Sequence, residues 1–186
     1  GNGDAYSMLG YWYTVGKYDE KDEKIKDIRA KVDKHSEKIN NIVNDIINPY
    51  CKDLDKYIRF ITDCLKDGQN PPTDYELEDF VLNLSTYVYW SGSSVEQLGI
   101  KDDISKAVYK EIYHTNRSNA KGGTVADKDS LAELSSQAEQ LVNVCYNRAY
   151  KIMKAKVENA QELLSSCKKV LTKRISDTEL SRTGGK

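Results

Sequence analysis

The sequence is poor in the residues that stop helices and poor in the residues that run chemistry. Three prolines, Pro49, Pro71 and Pro72, occur in 186 residues, so few positions are barred from donating a helical backbone hydrogen bond. The histidines are two, His35 and His114. His35 falls on an apolar stripe with no partner at metal-ligand spacing. Glu111-Ile112-Tyr113-His114 matches the Glu-x-x-His step of di-iron bundles, but that centre needs a second such step, and Val32 stands three residues before His35. GxGxxG, GxSxG and HExxH are all missing. These gaps argue against a metal, a cofactor or an enzyme.

The four cysteines, Cys51, Cys64, Cys145 and Cys167, form no CxxC pair. On one continuous helix, Cys145 and Cys167 would lie about 33 Å apart, beyond disulfide reach. The expectation is four reduced core thiols. No apolar run is long enough to cross a bilayer and no secretory pattern opens the chain, so no membrane and a cytoplasmic location are expected.

What is abundant is helical periodicity. From Thr124 to about Ile175 no Pro or Gly occurs. Leu131, Leu134, Ala138, Leu141, Cys145, Ala149 and Ile152 recur in steps of three and four. The pattern resumes one position later at Met153, Val157, Ala160, Leu164, Cys167 and Leu171. This predicts a single helix of about 75 Å, with a change of packing partner at Ile152/Met153. A second stripe, Ile25, Ile28, Val32, His35, Ile39, Ile42 and Ile46, is heptad-like. It slips to Tyr50, Leu54, Tyr57, Ile61 and Cys64/Leu65, and Pro49 at the slip predicts a kink or break.

Between these lies Asp67-Gly68-Gln69-Asn70-Pro71-Pro72, a turn, followed by a capping box from Thr73 to Glu76. Leu77, Phe80/Val81, Leu84 and Tyr87/Val88 then form a stripe. Ser91-Gly92-Ser93-Ser94 predicts an interruption, Gly99 the end of a short helix, and Asp102 or Asp103 the cap of another. That last helix buries Ile104, Ala107/Val108 and Ile112 and ends near His114.

The predicted class is therefore all-α, with long helices forming an elongated bundle or coiled-coil-like assembly. Residues 1–18, with Tyr6, Tyr11, Trp12, Tyr13 and Tyr18 among glycines, form an aromatic arm. Residues 19–176 form one helical domain, with helical regions at about 19–66, 74–114 and 124–176. Residues 177–186 are a tail. The stripes outrun any single covering helix, so a homo-oligomer or an obligate protein partner is expected.

Net charge is −1, but its distribution is uneven. Arg148, Lys151, Lys154, Lys156, Lys168, Lys169, Lys173 and Arg174 share their stretch with only Glu158 and Glu162, while the stretch from Asp74 to Asp79 holds four acids, Asp74, Glu76, Glu78 and Asp79, and no base. The loop Thr115 to Gly123 adds Arg117 and Lys121 beside two glycines. Such asymmetry points to an anionic partner, for which a nucleic-acid backbone is one candidate and an acidic protein surface the other. The candidate nucleic-acid contacts are Arg117, Lys121, Lys151, Lys154, Lys168, Lys169, Lys173 and Arg174.

The block from Asn116 to Lys186 combines a basic Gly-containing loop, the long helix LVNVCYNRAYKIMKAKVENAQELLSSCKKVLTKRISD and a short tail. In layout it resembles bacteriophage recombination mediators of the UvsY type. The resemblance implies a small all-helical oligomer that binds single-stranded DNA and helps load a recombinase. The alternative expectation is a phage-encoded helical protein–protein module, such as an inhibitor of a host defence nuclease (an anti-CRISPR) or a structural adaptor.

Overall fold

The structure, a computed structural model, describes residues 18–183; the aromatic arm expected at 1–18 lies outside these residues except for Tyr18, which opens the first helix, and so do residues 184–186 of the expected tail. The described residues form four helices: α1 (Tyr18–Lys66), α2 (Asp74–Asn119), α3 (Val125–Ser135) and α4 (Gln137–Thr183). The all-α expectation holds, and no strand occurs among the described residues. The chain divides into two compact units, residues 1–42 and 43–186. The boundary falls inside α1 rather than in a loop.

In the larger unit the direction of each helix follows from which residues meet. Tyr50 meets Lys101, Tyr57 meets Tyr87 and Phe60 meets Phe80, so α1 and α2 run antiparallel. Asp74 meets Arg174 and Asp102 meets Asn147, so α4 returns antiparallel to α2. The product is an up-down-up three-helix bundle. Its core joins Leu54 and Ile61 of α1 to Leu77, Phe80 and Leu84 of α2 and to Ala160 and Cys167 of α4. Ala160 has no exposed surface, and its small side chain lets neighbouring backbones approach.

Four expectations about the helices need correction. Pro49 does not end α1, which runs through it for 49 residues. Ser91-Gly92-Ser93-Ser94 and Gly99 do not interrupt α2, and Asp102 and Asp103 cap nothing. The helix is continuous for 46 residues and extends to Asn119, past His114. Weak local propensity loses there to tertiary packing, because Ser91, Leu98 and Ser105 are buried. A Cβ at Gly92 would meet nothing within 4 Å, but one at Gly99 would sit 3.3 Å from the Tyr150 ring. Gly99 thus admits a close approach of α4, which a propensity reading cannot foresee.

The third correction concerns the long C-terminal helix. It is two helices, joined at Ser136 with φ −115° and ψ 17°. The Ser136 amide turns back to the Glu133 carbonyl (3.3 Å), and its Oγ donates to the Ala132 carbonyl at 2.7 Å. Ala132 and Ser136 are fully buried. Paired serines compete for helical carbonyls and bend helices. The fourth correction is that α4 continues to Thr183, so most of the expected tail is helix.

The stripes are corrected too. Cys145, Ala149, Met153, Val157, Ala160 and Cys167 are buried as expected, whereas Leu131, Leu134, Leu141 and Ile152 are exposed. In α1 the buried set is Val43, Ile47, Cys51, Leu54 and Ile61, so the stripe rotates at residue 43, before Pro49. Within the first unit, Ile25, Ile28, Val32 and Ile42 are 44–58% exposed. All four cysteines are free, and burial raises the thiol pKa of Cys51, Cys145 and Cys167.

Helix starts follow the sequence closely. Thr73 and Glu76 form the expected capping box of α2, and Thr124 with Asp127 forms another at α3. The backbone N–H groups of Thr73 and Thr124, and then their hydroxyls, donate to the Glu76 and Asp127 carboxylates and lower their pKa values. A carboxyl pKa depressed on folding adds stability that is fully present above the unfolded value and lost as pH falls through the folded one. Stability should therefore decline on acidification below about pH 4.5. Glu76→Gln combined with Asp127→Asn should flatten that decline in denaturant midpoints measured against pH; an unchanged acid limb would show that the boxes do not contribute.

Candidate nucleic-acid interface and an apolar groove

The eight candidate bases separate into two groups. Arg117, in the last turn of α2, pairs with Asp129 of α3. Arg174 donates to the Pro72 carbonyl at 2.5 Å and reaches Asp74 at 3.3 Å. Both tie helix ends together, so much of their charge is directed inward. Lys156, the remaining basic residue of that stretch near the core, donates to both carboxylate oxygens of Asp55 at 2.7 Å and fastens α4 to α1.

Lys121 is exposed in the turn between α2 and α3. Gly122 and Gly123 have φ values of 76° and 80°, a backbone region that favours glycine. The neighbouring α3 N-terminus already holds a carboxylate. Thr124 N–H donates to Asp127 Oδ2 at 2.7 Å. A phosphate there would compete with Asp127.

Lys151, Lys154, Lys168, Lys169 and Lys173 are exposed on α4 and make no ion pair among the described residues. At 100° per residue they fall within an arc of roughly 140°, in two clusters about 21 Å apart along the axis. Glu158 and Glu162 stand between the clusters, on a polar surface shared with Gln161, Ser165, Ser166 and Lys169. The face is basic at both ends and acidic in the middle, a pattern hidden when charges are counted only along the chain.

A second surface was missed by sequence reasoning. A groove of about 480 Å³ between α2 and α4 is lined by Ile104, Val108 and Ile112 on one side and by Ala138, Val142 and Tyr146 on the other. The sequence placed Ile104, Val108 and Ala138 in the core. Instead Ile104 is 58% and Val108 42% exposed. Glu139 also lines the groove, and its Oε2 is buried with no hydrogen-bond partner among the described residues. An unpaired carboxylate oxygen beside apolar walls is costly. The signal available in the sequence was the excess of apolar positions over covering helices.

Among the described residues, no cluster of three or more His, Cys, Asp or Glu could hold a metal ion, and no helix is long and apolar enough to cross a membrane. The described residues define an all-α bundle with lysines at both ends of one α4 face and an apolar groove between α2 and α4. No family model matches the chain, and no curated protein or solved structure matches it either.

Proposed function

We propose that the protein is a non-catalytic accessory factor that binds single-stranded nucleic acid through α4. The observation that carries this reading is the set of five exposed lysines, Lys151, Lys154, Lys168, Lys169 and Lys173, without acidic partners among the described residues. Flexible ammonium groups on one long helix suit a sugar–phosphate backbone, which needs charge at intervals rather than a shaped pocket. The resemblance to phage recombination mediators points the same way and would place the protein in phage DNA metabolism, in the host cytoplasm.

Titration of a fluorescent single strand at low and moderate salt tests this reading. Affinity should fall by roughly 0.7 log units per phosphate contact for each tenfold rise in salt. Changing Lys168, Lys169 and Lys173 together to Ala should reduce that slope and leave helicity unchanged, because all three lie off the buried stripe. Absence of binding at low salt would remove the proposal.

The second reading is a helical protein–protein module, a phage inhibitor or adaptor. Glu158 and Glu162 in the middle of the lysine arc favour it, as does the inward pairing of Arg117 and Arg174. On this reading the same triple change weakens a protein complex, and oligonucleotide affinity is negligible from the start.

A further inference from the structure

We propose that the α2/α4 groove is a self-association site, filled by the N-terminal segment of α1, around residues 25–42, from a second copy of the chain. Among the described residues two apolar surfaces are left exposed, and they match. The first is the heptad stripe of Ile25, Ile28, Val32, Ile39 and Ile42, exposed except for half-buried Ile39. The second is the groove walled by Ile104, Val108, Ile112 and Val142.

Charge decides which partner the stripe takes. With Ile25, Val32 and Ile39 at a positions and Ile28 and Ile42 at d, the flanking g positions are Lys24, Lys31 and Lys38, and Arg29 falls at e. In an antiparallel seam of two such stripes the edge where g meets g would set lysine against lysine, and in a parallel seam Lys24 would meet Arg29 of the other copy; like charges across a coiled-coil seam oppose pairing. A basic-edged stripe is complementary to an apolar surface carrying acids. The groove has Glu139 inside it with an unpartnered oxygen. On α2, Glu111 stands exposed one turn from Val108, at the edge of the groove. Lys101, also at the groove, is already hydrogen-bonded to Tyr50 Oη at 2.9 Å.

A basic side chain arriving with the stripe supplies the hydrogen bond that Glu139 lacks. Isoleucine and valine side chains of the stripe fill the space between α2 and α4. Each copy offers one stripe and one groove, so an exchange between two copies can occupy both surfaces of each.

Solution mass, measured without nucleic acid, tests this independently of the DNA-binding proposal. Wild type should show twice the 21.1 kDa chain mass. Val32→Asp spoils the stripe and Val108→Asp spoils the groove, and each alone should halve the mass. An equimolar mixture of the two variants should recover dimer, because one intact stripe then meets one intact groove. Ile104→Asp, at a more exposed groove position, replaces Val108→Asp if circular dichroism shows the latter unfolded. A wild type that stays at chain mass at high micromolar concentration overturns the proposal. So does a folded groove variant of unchanged mass, or a mixture that stays monomeric.

Discussion

Ala160→Glu is expected to unfold the bundle. Ala160 has no exposed surface and lies among Leu54, Ile61, Leu77, Phe80, Leu84 and Cys167. A glutamate there must either bury a charge without a partner or force α4 away from α1 and α2. An uncompensated buried charge costs several kcal/mol, set against a typical total stability of roughly 5–15 kcal/mol. Loss of the helical circular dichroism signal at room temperature, or aggregation on expression, is the expected result. The contrast is with Ala138→Glu and Leu141→Asp, which the uninterrupted stripe marks as equally damaging. Both positions are exposed, Leu141 by 44%. Those substitutions should leave the helicity of the monomer intact. A cooperative, fully helical Ala160→Glu protein would show that the core is not packed as described.

Pro49→Ala should act in the opposite direction. Pro49 lies far inside α1 and is exposed. It can make no hydrogen bond to the carbonyl one turn earlier, and it disfavours the helical conformation of Asn48. In a helix interior proline is about 3 kcal/mol less favourable than alanine. The methyl group of the replacement requires no space that the proline ring does not already occupy. A gain of roughly 1–3 kcal/mol is expected, allowing for local relaxation around the proline. It should appear as a higher thermal midpoint with an unchanged circular dichroism spectrum. An unchanged or lower midpoint would mean that the proline offsets a larger penalty elsewhere, for example by restricting the unfolded chain. That α1 tolerates Pro49 at all points to packing on either side of it: Val43, Ile47, Cys51 and Leu54 are all buried.

The sequence by itself determined the helical class, the turn at Asp67–Pro72, and the start of α2 at Thr73. These are local matters. Periodicity, proline placement and capping chemistry act over a few residues, so a single chain carries them in full. It also determined the half of the α4 stripe from Met153 to Cys167, where a helix packed along its length obeys its own period.

Tertiary structure decided the rest. Whether Gly99 breaks a helix depends on what α4 places against it, and Tyr150 packs there; at Gly92 the helix runs on between the buried Ser91 and Leu98. Whether Ser136 ends one depends on the burial of Ala132 and Ser136, since Ser135-Ser136 is only a weak local signal. Whether Arg117 and Arg174 are free depends on carboxylates brought near by the fold, Asp129 twelve residues away and Asp74 a hundred away. The groove is the clearest case. Ile104, Val108 and Ala138 have the spacing of core residues, and spacing reports only which side of a helix is apolar. Whether another helix covers that side is a property of the assembled bundle. Here Ile104, Val108 and Ala138 are left exposed among the described residues.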